Sequence, residues 1–324
     1  MCTAISFKTN DHYFGRTLDL EYHYNESVVI TPRKFPFRFT SGKVTETHFA
    51  IIGMATVIDG YPLYYEATNE KGLSLAGLNF PHNAHYFPVC ETKENVAPFE
   101  FIPWLLCQCG SVDEATEEIK KINLADIDFS EKLKASPLHW LVSDREKSIT
   151  VECTCHGMKI FSNPHGVLTN NPPFEFQMHT LNRYMKKILS NPDPYIQYDN
   201  EPGMLSKGLE FLGLPGDLSS PSRFVKTVFV KLNSECGQTE EESVTHFFHI
   251  LGCVNTPVGF IKVDGNNQYK TVYTSCCNTD KGIFYYTTYG NSQISVVDMY
   301  KENLDSDTLS SYPLIMHQQV NRIN

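Results

Sequence analysis

The second residue is a cysteine. A cysteine directly after the initiator becomes the first residue of the mature chain when Met1 is removed. It then carries a thiol and a free α-amine on one short backbone. An α-amine has an ordinary pKa of about 7.7–8.0, roughly two and a half units below a lysine side chain. It can take the thiol proton near neutrality without first being buried. A nucleophile activated by its own terminal amine is an established catalytic device. The plain alternative is that Cys2 is a small apolar residue opening the strand Cys2-Thr3-Ala4-Ile5-Ser6-Phe7.

Such a nucleophile needs a carboxylate for the amine and a cation that favours ionised sulfur. Gly15-Arg16-Thr17-Leu18-Asp19 supplies both on the next strand. On a regular strand Arg16 and Asp19, three apart, face opposite sides, so joint action calls for a bend or bulge there. The competing reading is a surface ion pair worth little. Acyl transfer also needs donors aimed at a developing oxyanion. Asn79 and Asn170 stand at the ends of predicted strands, in Gly77-Leu78-Asn79-Phe80 and Leu168-Thr169-Asn170-Asn171-Pro172. Asparagine at a strand end is otherwise a turn former, and Asn171 before proline especially so.

The elements that must hold these residues come in blocks. Strands are expected at Cys2–Phe7, His12–Asp19, Ser27–Pro32, Phe49–Val57, Tyr61–Ala67 and Leu73–Leu78, with polar turns at Lys8–Asp11 and Thr68–Gly72. Two helices follow. Pro98–Gln108 is opened by proline and closed by Gly110. The next begins at the capping box Ser111-Val112-Asp113-Glu114 and runs to about Asn123. Strands return at Leu138–Ser143, Ser148–Thr154 and Met158–Phe161, and Gly166–Leu168 leads into the Asn170 turn. Glu175–Leu189, Arg223–Leu232 and Ser243–Leu251 are predicted helices, the last behind a second capping box at Thr239–Glu242. Tyr269–Ser275, Gly282–Tyr289 and Gln293–Met299 close the chain as strands. Strand runs and helix runs in blocks, rather than strict alternation, point to an α+β fold of packed antiparallel sheets with helices outside.

Bulk properties bound the function. The 324 residues are 41% hydrophobic and 20% charged, with a formal net charge of −10 and no basic run. Nucleic-acid binding is therefore not expected. No apolar stretch approaches the roughly 18 residues of a membrane span, and no leader pattern opens the chain. Ten cysteines without a leader point to free thiols in a reducing, cytoplasmic setting. Cys107/Cys109, Cys153/Cys155 and Cys276/Cys277 lack zinc-ligand spacing, so all nine cysteines beyond Cys2 are read as small buried apolar residues. No metal or cofactor is expected.

Six motifs in order resemble the choloylglycine hydrolase family: Met-Cys-Thr-Ala-Ile at the start, Phe-Gly-Arg-Thr-Leu-Asp at 14–19, Asn-Glu-Lys-Gly-Leu at 69–73, Ala-Gly-Leu-Asn-Phe at 76–80, Val-Leu-Thr-Asn-Asn-Pro at 167–172 and Gly-Leu-Pro-Gly-Asp-Leu-Ser-Ser-Pro-Ser-Arg-Phe at 213–224. The likeness continues through Tyr-Thr-Ser-Cys-Cys at 273–277 and Asn-Ser-Gln-Ile at 291–294. This family holds bile salt hydrolases and penicillin V acylases and belongs to the N-terminal nucleophile hydrolases.

The resemblance implies a single domain over 2–324, built as four layers αββα. It implies a catalytic set of Cys2, Arg16, Asp19, Asn79, Asn170 and Arg223. Cys2 would be the nucleophile, with its amine as proton acceptor and then donor. Asp19 would hold that amine. Arg16 and Arg223 would line the site and favour the thiolate. Asn79 and Asn170 would serve the oxyanion and positioning, with Asn170 rather than Asn171 in the role. Asparagine at 79, where penicillin V acylases typically carry tyrosine, places the chain nearer the bile salt hydrolases. The implied reaction is amide hydrolysis of glycine- or taurine-conjugated bile acids through an acyl-enzyme thioester. Penicillin V acylase action and acyl transfer to amines are the rivals on the same site, and a non-catalytic ligand-binding relative is a rival of another class. The Pro/Gly-rich segment at about 191–221 resembles the family's assembly loop and implies a homotetramer. A steroid calls for an apolar pocket, and by position Leu18, Tyr24, Ile58, Tyr65, Phe129 and Leu133 are expected to line it.

Overall fold

A computed structural model describes residues 1–189, 195–198, 201–204, 211, 213–261 and 268–324. Two antiparallel sheets dominate it. The six-stranded sheet runs, edge to edge, Val167–Leu168, Cys2–Lys8, His12–Leu20, Lys270–Asn278, Ile283–Thr288 and Asn291–Asp298. The eight-stranded sheet runs Gly157–Ser162, Ser148–Thr154, Leu138–Ser143, Ser74–Asn79, Tyr61–Asn69, Ile51–Ile58, Ser27–Thr31 and Ser310–Pro313. Five helices are described: α1 (Phe101–Gln108), α2 (Val112–Lys121), α3 (Phe174–Leu189), α4 (Ser220–Asn233) and α5 (Glu240–Gly252).

The helices divide between the outer faces. α1 packs on Tyr61–Asn69 and Ser74–Asn79, while α5 packs on Lys270–Asn278 and His12–Leu20 and touches α4, which touches α3. Two apolar clusters result. One fills the gap between the sheets and continues under α3, α4 and α5; the other joins the eight-stranded sheet to α1 and α2. This is the expected αββα order. It also explains why Cys2–Lys8 and His12–Leu20 are buried along nearly their whole length. An antiparallel strand with one wet face alternates apolar and polar residues, whereas a strand covered on both faces does not.

The helix boundaries follow local chemistry. The predicted helix from Pro98 begins as a single 3₁₀ turn, Pro98–Glu100, and becomes α-helical at Phe101. At α2 the Ser111 hydroxyl accepts from the Glu114 amide, while the Glu114 carboxylate accepts from Gly110 rather than from Ser111. The Thr239–Glu242 box closes in both directions. Ser310–Pro313 was not predicted as a strand, yet it completes the eight-stranded sheet against Ser27–Thr31. Its Ser-Ser-Tyr-Pro sequence is too short and polar to show a strand period.

The reading of the cysteines needs correction. Cys107, Cys109, Cys153, Cys276 and Cys277 are buried, but Cys155 is exposed and Cys90, Cys236 and Cys253 are half-buried. Cys155 lies past the end of Ser148–Thr154, in the turn before Gly157, outside the strand whose covered stretch buries Cys153. Residues 191–194, 199–200, 205–210 and 212 of the segment 191–221, expected to reach a neighbouring subunit, lie outside the described residues.

Candidate active site

Cys2 begins the second strand in from the edge of the six-stranded sheet, paired across from Leu18. In this structure Met1 is still attached. Its terminal nitrogen donates to the Asp19 carbonyl at 2.7 Å, and Asp19 donates back to the Met1 carbonyl at 2.9 Å. The Cys2 nitrogen is thus a peptide N–H, and it donates to Asn170 Oδ1 at 2.7 Å. The Met1 amine is pushed below its ordinary pKa, first by burial, with Arg223 and Arg16 adding to that push and the Cys2 thiol and Asp19 opposing it. Burial here favours the neutral, proton-accepting form of an amine.

Arg16 and Asp19 do face opposite sides of their strand, and both reach the Cys2 neighbourhood. The strand itself keeps its register against Cys2–Lys8. Arg16 points into the gap between the sheets. Its Nη1 donates to the carbonyls of Tyr65 (3.2 Å) and Gly77 (2.5 Å), and its Nε to the Thr17 carbonyl (3.3 Å). Asp19 lies on the opposite side, where Arg223 of α4 also acts on the terminal amine. Its carboxylate accepts from Thr271 (2.7 Å) and Thr17 (3.3 Å). A terminal residue sends its side chain and its nitrogen in different directions, so thiol and amine are served from two faces. No bend between Arg16 and Asp19 is required.

Two bulges do the local shaping, both on neighbouring strands. Asp19 pairs with Thr271 and Leu18 with Tyr273, leaving Val272 as the extra residue. This re-aims Thr271 at Asp19. In the other sheet Met54 pairs with Glu66 and Ala55 with Tyr64, so Tyr65 is extra. An extra residue drops out of the ladder, and the Tyr65 carbonyl is the one that receives Arg16. Gly15 completes the fit. A Cβ there would meet the Ser275 carbonyl oxygen at 2.1 Å, so only glycine lets the strands close beside Arg16.

Asn170 brackets Cys2. Its Oδ1 accepts from the Cys2 nitrogen and from Arg223 Nη2 (2.8 Å), and its Nδ2 donates to the Asn79 carbonyl (2.8 Å). Asn171 is turned away, bonding Pro81 and Asn83 instead, and the Asn171–Pro172 peptide is cis. Arg223 is fully buried. Besides Asn170 it donates to the Cys2 carbonyl, Thr3 Oγ1 (2.6 Å) and the Leu218 carbonyl (3.1 Å). Burial pulls its pKa down, with Asp19 and Cys2 opposing. For Arg16 burial also opposes the charge, yet the Cys2 thiol, Tyr273 and Glu66 outweigh it and hold the pKa above the ordinary value. Asn79 is half-buried at the end of its strand. The six expected catalytic residues therefore form one cluster.

Residue spacing missed the shell around them. Ser220, the first residue of α4, accepts from the Asn170 amide at 2.8 Å, and Arg223 follows three residues later on the same helix face. Gln177 of α3 donates to the Asn170 carbonyl. His139 Nε2 bonds the Thr169 carbonyl (2.7 Å), its Nδ1 meets Glu152 (3.1 Å), and its ring stacks on Phe80 at 4.3 Å. One buried imidazole thereby ties together the chain segments that carry Asn79 and Asn170. A histidine and a glutamate buried in mid-strand carry no periodic signal that marks such a contact.

The expected pocket residues fall in two groups. Leu18 is buried, and Tyr65 bonds Thr56 Oγ1 (2.9 Å), which also donates to the carbonyl of Tyr24, itself 49% exposed. Ile58 lies at the tip of the hairpin with Tyr61. Phe129 packs on Tyr61 and Phe99 and donates to the Leu133 carbonyl at 3.1 Å. A separate cavity of ≈ 480 Å³ sits between α5 and the six-stranded sheet, lined in part by Thr256, Thr271 and Tyr289. None of the six expected pocket residues lines it. Among the described residues no cluster of His, Cys, Asp and Glu could hold a metal.

Sheets, helices and a cysteine beside the terminus define an N-terminal nucleophile hydrolase fold. The family model of linear amide C–N hydrolases, choloylglycine hydrolase family, matches residues 2–312. The chain belongs to that family and is an amide hydrolase of its kind. It is 50% identical to a bile salt hydrolase/transferase of Lactiplantibacillus plantarum and 37% identical to one of Clostridium perfringens, each match covering 100% of both chains. A crystal structure of a conjugated bile acid hydrolase variant from Clostridium perfringens superposes with a TM-score of 0.91 at 36% identity, covering 100% of both chains. A penicillin V acylase from Agrobacterium tumefaciens shares the fold, with a TM-score of 0.75 at 16% identity over 98% of this chain and 94% of that one.

Proposed function

We propose that this protein is a bile salt hydrolase that cleaves the amide of glycine- or taurine-conjugated bile acids with Cys2 as nucleophile. The observation that carries the chemistry is the Cys2 nitrogen on Asn170 Oδ1 with the sulfur against Arg16. Once Met1 is removed, that nitrogen is a primary amine in the same buried setting. It takes the thiol proton, and the sulfur attacks the amide carbon. Asn79 donates to the oxyanion. The C–N bond breaks as the ammonium returns its proton to the leaving glycine or taurine. Water, deprotonated by the same amine, then attacks the thioester and releases the bile acid, with the proton passing back to sulfur.

Contacts support a role for each residue. Asp19, fixed by Thr271 and Thr17, balances the ammonium. Asn170 and Arg223 hold the Cys2 backbone, and Arg16 supplies positive charge at the sulfur. Leu18, Tyr24 and Tyr65 lie on the Arg16 side and Ile58, Phe129 and Leu133 at the hairpin tip, and together they supply apolar surface for a steroid. We place the enzyme in the cytoplasm as a homotetramer, with the segment at about 191–221 reaching a neighbour. Among the described residues no helix is long and apolar enough to cross a membrane.

The test is release of glycine and taurine from a panel of conjugated bile acids, with penicillin V as comparator. Turnover of glycocholate or taurocholate well above that of penicillin V is expected, and the reverse order would overturn the substrate assignment. A second activity is favoured by the names of the 50% and 37% identical relatives, which include transferase. A thioester open to water is open to another amine. Labelled free amino acid should appear in new bile acid amides, and finding none would remove this second reading.

A further inference from the structure

Glu66 lies behind Arg16, on the side away from Cys2's backbone contacts. It is 1% exposed. Its Oε2 stands 3.7 Å from Arg16 Nε, beyond hydrogen-bond distance, and Nε itself donates to the Thr17 carbonyl. Two hydroxyls hold the carboxylate: Tyr273 donates to Oε2 and Ser275 to Oε1, each at 2.8 Å. Three backbone carbonyls already orient the Arg16 guanidinium. Glu66 is therefore not needed to aim Arg16. What it adds is a second negative charge against a cation that also faces the Cys2 sulfur.

We propose that Glu66 is a positioning residue acting through Arg16: it competes with the Cys2 sulfur for the buried guanidinium between them, and its charge state sets the pH range in which Cys2 reacts. When Glu66 is ionised it neutralises much of the Arg16 charge. When it is protonated, that charge is left to the sulfur. One cation cannot fully balance two buried anions, because each uncompensated charge in the interior is costly. The groups facing Glu66 are Arg16 and Tyr273 from the six-stranded sheet, Cys277 from the same strand as Tyr273, and Glu26 from the segment before Ser27–Thr31. Burial, with Glu26 adding, raises the Glu66 carboxyl to about 7 against the pull of Arg16, Ser275 and Tyr273. The competition therefore falls in the neutral range.

This inference rests on Cys2 being the nucleophile, and its test needs no bile acid. Iodoacetamide alkylation of Cys2 is followed from pH 5.5 to 9 by quantifying the Cys2 peptide, with exposed Cys155 as the internal reference. Glu66→Gln keeps an acceptor for one of the two hydroxyls, turns an N–H donor to the other, which as a hydroxyl can accept it, and removes the charge. Its alkylation profile should move acidward by about one pH unit, the scale of a nearby-charge effect. Tyr273→Phe removes one hydrogen bond to the carboxylate, makes it harder to ionise, and should move the profile the same way by less. A profile unmoved, or moved alkaline as loss of an anchor for Arg16 would cause, overturns the proposal. If Glu66→Gln does not fold, Tyr273→Phe decides it alone. Failure of the bile acid assay with the acidward shift intact would instead remove the substrate assignment and leave this inference standing.

Discussion

Replacing Asn170 with alanine tests the bracket around Cys2 directly. The side chain makes three hydrogen bonds, from the Cys2 nitrogen at 2.7 Å, from Arg223 at 2.8 Å and to the Asn79 carbonyl at 2.8 Å. Two donors, one of them charged, and one acceptor lose their partner in a site where Asn170 is 7% exposed. At about 1 kcal/mol for each bond that water can replace, and more where it cannot, the loss is about 3 kcal/mol of stability. The same freedom unpins the nucleophile, and a displacement of about 1 Å costs roughly 10²-fold in rate. Asn170 touches the Cys2 nitrogen rather than the acyl chain, so kcat should fall by about 10² while KM moves less than about threefold. Asn170→Asp keeps the acceptor for Cys2 and Arg223 but sets an oxygen against the Asn79 carbonyl, so its kcat should lie between. The assay is steady-state glycocholate hydrolysis alongside urea unfolding followed by circular dichroism. An alanine variant with wild-type kcat and an unmoved unfolding midpoint would refute the bracket.

Other outcomes follow from the same geometry. Cys2→Ser should keep the fold, since the change is nearly isosteric, and lose activity by at least about 10³-fold, as nucleophile removal does elsewhere; a variant retaining most of its rate would exclude the thiol. A chain whose Met1 is retained or extended, identified by intact mass, should bind bile acid but not turn it over, because the Cys2 nitrogen is then an amide; normal turnover would remove the amine from the mechanism. His12 is buried between Ser6 and Thr279, and burial lowers its pKa from 6.5 to about 3. Between those values the unfolded chain binds a proton that the folded chain refuses, so stability is whole above pH 6.5 and falls as pH drops toward 3. Urea midpoints at pH 7 and pH 4.5 should differ more for wild type than for His12→Gln, and equal differences would contradict this.

The chain's own order of residues was enough for a good part of this. Blocks of β-branched and aromatic residues, broken by polar turns and followed by capped helices, define local conformation, because strand and helix periods and capping are effects between near neighbours. The longer strands are accordingly legible to within a residue or two, as at Tyr61–Asn69 and Ile283–Thr288, although Lys270–Asn278 runs three residues past its expected end and Ser310–Pro313 was missed. The motif around Cys2, Arg16 and Asp19 is contained in eighteen residues and reads as chemistry from types alone.

Which faces those residues meet was decided elsewhere. Arg16 and Asp19 look incompatible on a single strand. Both reach the neighbourhood of Cys2 because the six-stranded sheet lies between a second sheet and a helical layer, and the terminal residue is approached from both. The bulges at Val272 and Tyr65 exist only in the pairing of distant strands, so nothing within either strand announces them. Glu66, His139, Ser220 and Thr271 read locally as a strand glutamate, a strand histidine, a helix-start serine and a strand threonine. Each acquires its partner across 50 or more residues, or in the case of His139 and Thr169 across 30. Short-range sequence carries conformation, but hydrogen-bond partners and charge neighbours are set by packing, and packing is a property of the whole chain.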